Sequence, residues 1–276
     1  SGTVLALPPL HPPLNLPTPK TAASFAAGNK TFVKSPPQAP GTSTRLVQIL
    51  LEAGMPETAI QLLHGGTELG EALVRIPELG AVAFTGSAAA GRRVAAAAAG
   101  KKLVLELGGN AATIVCADAD LAEAAKVCAQ AGYTNSGQSC ISVQRVYVEA
   151  ASFDEFLRLF RDGVAALRVG DPLDPLTDVG TMVDADAASR VAGWVQEAVA
   201  AGGRLELGGT ANGAALAPTV VANPPRDAKV VAEEVFGALV SVMPFSDFAM
   251  ALKEANSTPY GLQGGLFTFE LRRVFE

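Results

Sequence analysis

The strongest constraint on this chain is an alternation. Short apolar runs at 59–63, 81–84, 102–107 and 112–115 are separated by segments whose apolar residues recur at helical spacing. Adjacent parallel strands need a crossover of a dozen or more residues, usually a helix. The pattern therefore predicts an α/β protein with mostly parallel sheets covered by helices. The second half continues it, with predicted helices at 119–131, 153–167, 184–201 and 248–255 and strands at 143–148 and 264–267. The first forty residues carry Pro8, Pro9, Pro12, Pro13, Pro17 and Pro19, which predict extended or turn structure and little helix before Thr21. Thr42 or Ser43 is then placed to cap a helix bearing Leu46, Ile49, Leu50 and Leu51. No linker or charge block interrupts the chain. The pentapeptide LELGG occurs at 105–109 and 205–209, with dissimilar flanks, and reads as coincidence.

Composition narrows the function. Of 276 residues, 49% are apolar and 17% charged, enough for a sizeable core. A formal charge of −6 argues against nucleic acid or an anionic membrane as partner. Mean hydropathy is positive, yet no apolar stretch approaches the roughly 18 residues needed to span a bilayer. There is no basic segment followed by an apolar run at the start, so no signal peptide is expected, and Ser1-Gly2 reads as a cloning remnant. Cys116, Cys128 and Cys140 are too few for a disulfide framework, and with only His11 and His64 beside them no metal site is expected. A cytoplasmic protein with reduced thiols is the default expectation.

Three places could carry chemistry. Cys140 lies in Ser136-Gly137-Gln138-Ser139-Cys140, between a helix and a strand. A cysteine on such a turn can present its sulfur as a nucleophile; a small buried core residue fits the same local context. Cys116 and Cys128 read as core. Glu106 ends a strand ahead of Gly108-Gly109, where α/β folds place their sites, and suits a general base on water or a solvated strand end. The Phe84-Thr85-Gly86-Ser87 junction offers free N–H groups and a hydroxyl at a helix start, which suits a pyrophosphate, although a plain strand-to-helix turn looks the same. His64-Gly65-Gly66 is a weaker instance of that signal.

Read together, the motifs FTGS (84–87), LELGGN (105–110), GQSC (137–140), VGDPLDP (169–175), EEVFG (233–237) and STPYGLQGG (257–265) resemble, in order and separation, the aldehyde dehydrogenase superfamily over essentially the whole chain. The run from Gly109 to Val148 is most similar to its lactaldehyde and semialdehyde branch. The resemblance implies a Rossmann-type cofactor-binding half at 1–107 and an α/β catalytic half at 108–276. It implies NAD or NADP as cofactor and a small-molecule aldehyde as substrate. Cys140 matches the nucleophile that attacks the carbonyl and forms a thioester after hydride transfer. Glu106 matches the base that activates the hydrolysing water. Lys34 matches the lysine at the adenosine ribose, Gly86 and Ser87 the pyrophosphate turn, and Glu234 and Phe236 the residues at the nicotinamide ribose and ring.

Departures from the family pattern sharpen these expectations. The family's oxyanion-stabilising asparagine precedes the cofactor lysine by 23 residues, which lands on His11. Losing one such donor typically costs about 10²–10³ in rate, so an impaired enzyme is expected unless His11 substitutes. Pro37 stands where NAD users often carry a glutamate for the ribose 2′-hydroxyl, so NADP is allowed. Family chains are longer, and this one is expected to lack segments at both ends, leaving a homo-oligomer or the remaining parts of a longer polypeptide as expected partners. The alternative in another class is a non-catalytic aldehyde-dehydrogenase-like domain with a structural or scaffolding role.

Overall fold

The computed structural model describes residues 2–276; Ser1, read above with Gly2 as a cloning remnant, lies outside them. The chain forms two compact units, one ending at Gly108 and one running Gly109–Glu276.

The first unit holds a five-stranded, all-parallel sheet in the order β3-β2-β1-β4-β5. Its strands are β1 (Thr3–Leu7), β2 (Lys30–Ser35), β3 (Ile60–His64), β4 (Ala81–Thr85) and β5 (Lys102–Glu106). Alternation along β1 divides the core. Leu5 and Leu7 face one layer with Leu73, Val74, Leu79 and Val82, while Ala6 faces the other with Val33, Val47 and Ile60. The chain moves outward from β1 through β2 to β3, then returns to the other side of β1 as β4. Open α/β sheets bind ligands in the crevice such a reversal leaves at the carboxyl ends of the strands.

Helices α1 (Pro17–Ala26), α2 (Pro40–Glu52), α3 (Thr67–Val74) and α4 (Ala88–Ala97) connect these strands. Two expectations need correction. Helix α1 begins at Pro17, not after Thr21, and α2 begins at Pro40 behind Ala39, not at a Thr42 or Ser43 cap. The cause is shared. Proline at the first helical position has its φ already set, and its missing N–H is one that no helix could use there. Pro17, read as a helix blocker, is a helix starter, and Pro40 starts α2 in the same way. Ser43 is instead buried within α2.

The second unit holds a six-stranded sheet in the order β13-β6-β7-β12-β11-β8. Strands β6 (Ala111–Val115), β7 (Val143–Glu149), β11 (Thr219–Ala222), β12 (Leu239–Phe245) and β13 (Gly264–Phe267) run parallel, and β8 (Arg204–Leu207) joins β11 antiparallel. A short hairpin pairs β9 (Ala211–Asn212) with β10 (Ala215–Leu216). Helices α5 (Leu121–Tyr133), α6 (Phe153–Ala165), α7 (Ala185–Ala200), α8 (Lys229–Ala232) and α9 (Phe248–Ala255) complete it. All five residues of β6 are buried, as a central parallel strand requires. The two LELGG copies differ in backbone. Gly208 and Gly209 are both left-handed (φ 74° and 84°), whereas Gly108 and Gly109 are not, so the sequence identity carries no structural repeat.

Arg145 on β7 is wholly buried, and its guanidinium donates to the carbonyls of Asn110 (2.8 Å), Ala255 (2.9 Å) and Glu254 (3.1 Å). A buried charge is tolerable only when hydrogen-bonded in this way. Among the described residues no helix is long and apolar enough to cross a membrane. The core against α5 and α6 is aromatic: Phe160 stacks on Phe156 at 5.7 Å and tilts against Tyr133 at 6.3 Å. Phe160→Ala should therefore cost about 3–5 kcal/mol, read as a lowered denaturant midpoint for the second unit; a loss under about 1 kcal/mol would show that this cluster is not structural.

Candidate active site

The cysteine turn is built by backbone that side chains rarely permit. Helix α5 ends at Tyr133, whose hydroxyl donates to the Thr219 carbonyl at 2.6 Å. Asn135, Ser136 and Gly137 then all take left-handed φ values of 54°, 57° and 69°. For serine this is costly, and such strain persists only where surroundings enforce it. Here they do. Asn135 Nδ2 donates to the Gln138 carbonyl (3.0 Å), and Ser136 Oγ to that of Gly180 (3.1 Å). The buried Gln138 amide accepts from the Val183 N–H (2.7 Å) through Oε1. Gly137 admits no side chain on a second count, since a Cβ there would lie 2.1 Å from the Gly237 carbonyl oxygen.

Cys140 follows this turn and is partly exposed, whereas Cys116 and Cys128 are buried. Burial raises the Cys116 thiol and pushes Cys128 up to about 12, so neither forms a thiolate near neutral pH. Cys140 is thus the most accessible of the three cysteines, as a nucleophile needs to be.

Gly109 joins this turn to the Glu233–Gly237 segment. A Cβ on Gly109 would sit 1.9 Å from the Cys140 carbonyl oxygen, so the two backbones touch only because residue 109 is glycine. The Gly109 N–H donates to Glu234 Oε1 at 3.0 Å. Burial raises the Glu234 pKa, opposed by that hydrogen bond and by the Arg190 charge. Gln144 clamps the segment from β7, accepting from the Val235 N–H (2.9 Å) and donating to the Glu233 carbonyl (2.6 Å). Arg190 donates to the Val235 carbonyl (2.9 Å), and Phe236 is left-handed at φ 48°. Cys140, Glu234 and Phe236 are thus brought together in the second unit.

The other five predicted residues lie in the first unit. A cavity of about 620 Å³ opens at the carboxyl ends of β1, β2 and β4, with Leu7, Val74, Phe84 and Val94 as apolar wall and Lys34 on its rim. Burial lowers the Lys34 pKa. A Cβ on Gly86 would come within 2.6 Å of the Phe84 ring, which would have to shift. Ser87 caps α4, its Oγ accepting from the Ala90 N–H at 3.2 Å. Ala90 lines the cavity and Ser87 does not. His64 does not line it either; its ring nitrogens meet the Ser35 hydroxyl (2.7 Å) and the Thr44 hydroxyl (3.3 Å). Glu106 ends β5, an edge strand, and is exposed, not part of a strand buried on both faces. His11 lies past β1 and is half-buried, and burial lowers its pKa.

Two residues of this unit escaped the sequence reading. Lys20 on α1 is depressed by burial but partly restored by the Glu106 carboxylate. Arg93 on α4 lines the cavity. Neither carries a motif signal; only the α1 and α4 placements expose them. Gln144 was readable in principle, as an amide inside the apolar run 143–148. Among the described residues no group of three or more His, Cys, Asp or Glu side chains is placed to hold a metal ion.

The His11 shift gives a signed prediction. Its folded pKa lies below the unfolded value of 6.5, so the unfolded chain binds the proton more readily and His11 costs stability as pH falls through that value. Lowering the pH from about 7.5 to about 5.5 should reduce the melting temperature less in His11→Asn than in the parent, above the range where most carboxylates titrate. Identical slopes in the two proteins would contradict the burial of this imidazole.

The chain is similar to known proteins. The family model described as "Aldehyde dehydrogenase family" matches residues 1–276. A 3-sulfolactaldehyde dehydrogenase from Priestia aryabhattai is 39% identical over 272 residues, 98% of this chain and 57% of the relative. Among solved structures, aldehyde dehydrogenase 21 from Physcomitrella patens, in complex with the reaction product succinate, superposes with a TM-score of 0.95 at 36% identity, over 99% of this chain and 57% of that one. A glyceraldehyde-3-phosphate dehydrogenase from Methanocaldococcus jannaschii, complexed with NADP, gives 0.95 at 33% identity, over 99% of this chain and 61% of that one. The chain thus spans a little over half the length of the proteins it matches. With a family match over its full length and this agreement of fold, the chain belongs to the aldehyde dehydrogenase family.

Proposed function

We propose that this chain carries the nucleotide-binding and thiol-bearing parts of an enzyme that oxidises an aldehyde to a carboxylic acid with NAD or NADP. The observation that carries this reading is Cys140, the one cysteine of three that is not buried, placed on a strained turn fixed by Gly109, Gln138 and the Glu234 segment. The first unit supports the cofactor. An apolar cavity rimmed by Lys34, beside the Ser87-capped start of α4, suits an adenine ring with anionic groups at its edge.

Each residue then has a defined task. Cys140 Sγ, as thiolate, adds to the carbonyl carbon and leaves the carbonyl oxygen as an oxyanion. His11, kept neutral by burial, has one N–H to offer that oxygen. A nicotinamide cofactor, when bound, would supply the hydride acceptor, and Cys140 Sγ would then hold the acyl group as a thioester. Glu106 takes a proton from water, whose oxygen attacks the thioester carbon; the carbon–sulfur bond breaks, the acid departs and the thiolate is restored. Glu234 offers a carboxylate oxygen to the hydroxyls of a ribose.

Glu106→Gln should slow thioester hydrolysis by about 10²–10⁴-fold and let the acyl group accumulate. The test is peptide-resolved mass spectrometry after incubation with NAD(P)⁺ and 3-sulfolactaldehyde, the aldehyde named for the Priestia relative, alongside a small aldehyde panel. The expected result is an acyl adduct on Cys140 in Glu106→Gln and none in Cys140→Ala. An adduct on Cys116 or Cys128, or no adduct in a variant that still binds nucleotide, would overturn the reading.

A further inference from the structure

The segment that carries Glu234 and Phe236 is held at consecutive peptide groups by two side chains from elsewhere in the second unit. Gln144 on β7 is buried and uses both ends of its amide. Its Nε2 donates to the Glu233 carbonyl (2.6 Å), and its Oε1 accepts from the Val235 N–H (2.9 Å). Those two groups belong to the peptides on either side of the Glu234 α-carbon, so one side chain fixes both backbone torsions of Glu234. A further bond from Nε2 to the Val230 carbonyl (3.3 Å) ties the amide to α8. Arg190 on α7 takes the next peptide. It donates to the Val235 carbonyl (2.9 Å), immediately before the left-handed Phe236. Its guanidinium lies over the Trp194 ring at 4.8 Å, which restrains its swing. The Glu234 carboxylate is fixed at one oxygen only: Oε1 accepts from the Gly109 N–H (3.0 Å), and Oε2 accepts no hydrogen bond among the described residues.

We propose that Gln144 and Arg190 are positioning residues that aim the Glu234 carboxylate at the hydroxyls of the nicotinamide ribose. The inference rests on the ribose role given to Glu234 above and adds two residues that no motif names. Charge-assisted hydrogen bonds weaken steeply when misaligned, so a carboxylate serves a ribose well only from a fixed backbone. The two clamps differ in kind. Gln144 is neutral and acts through geometry. Arg190 also brings a positive charge, which favours the ionised form of Glu234 against burial. Gly109 meets the same carboxylate with a neutral N–H, and Asp184, the cap of α7, is the other charge acting on Arg190. The ionised form is the one that offers the ribose hydroxyls acceptors only.

Calorimetric titration of the protein with NAD⁺, ADP-ribose and AMP tests this without any aldehyde, because AMP lacks the second ribose. In the parent, NAD⁺ and ADP-ribose should bind more tightly than AMP. Gln144→Leu and Arg190→Gln should each weaken NAD⁺ and ADP-ribose about tenfold or more and leave AMP unchanged, because a charge-assisted contact is misaligned. The pH profiles should separate the two. In Arg190→Gln the carboxyl of Glu234 loses the charge that opposes its burial and protonates at higher pH, so ADP-ribose affinity should begin to fall on acidification at a higher pH than in the parent. Gln144→Leu should leave that pH unmoved, and Arg190→Lys should restore the parent profile. Protection of the buried Cys116 and Cys128 from iodoacetamide checks that the second unit is folded in each variant, and the variants of the exposed Arg190 carry the test should Gln144→Leu unfold. Unchanged ADP-ribose affinity in the folded variants, or an Arg190→Gln pH profile like the parent's, would overturn the assignment while leaving the nucleotide site intact. ADP-ribose binding no tighter than AMP in the parent would overturn the ribose role of Glu234, and failure of all three ligands to bind would overturn the nucleotide reading itself; the inference falls with either.

Discussion

The contact between the α-carbon of Gly109 and the carbonyl of Cys140 governs the thiol-bearing unit. It permits two chain segments to lie closer than any side chain would allow. The same glycine turns its N–H to Glu234, so one residue sets both the height of the cysteine turn and the position of a carboxylate far along the chain. Gly137 against Gly237 repeats the device on the other side of the turn. Side chains alone would hold such a turn within a rotamer's freedom. Backbone against backbone holds it within a fraction of an ångström, which is what positioning a nucleophile demands.

This rigidity has a local cost, which the surroundings offset. Asn135 and Ser136 sit in a region of φ/ψ space that disfavours them, and Phe236 does the same across the turn. The offsetting interactions are amide hydrogen bonds from Gln138 and Gln144 to backbone that would otherwise be unpaired. Buried glutamines of this kind are expensive unless both ends of the amide are used, and here they are. Strain gathered around one partly exposed cysteine, in a unit whose other two cysteines are inert, is the pattern expected where backbone geometry serves chemistry.

Much of the architecture was legible in the sequence because it follows from periodicity. The apolar run at 81–84 lies within β4 and that at 112–115 within β6, and the helical spacing at 153–167 covers α6. Local propensity misled where a residue has two uses: Pro17 starts a helix that the proline-rich opening argued against, and Pro40 starts one expected to begin at Thr42 or Ser43. The motifs pointed to Cys140, Glu106 and Lys34, but not to what surrounds them. Lys20 gains its meaning only from where α1 places it, near enough to Glu106 to feel its charge. The exposure of Glu106 came from β5 being an edge strand, which strand-level reading does not reveal.

The central claim is that Cys140 is the nucleophile. The most direct measurement is the rate at which a soft electrophile such as iodoacetamide modifies each of the three cysteines in the folded protein, resolved by peptide mass spectrometry. The account predicts that Cys140 reacts first by a wide margin, with Cys116 and Cys128 modified only on unfolding, because burial keeps their thiols protonated. Equal rates at all three positions, or earlier modification of Cys116, would contradict it.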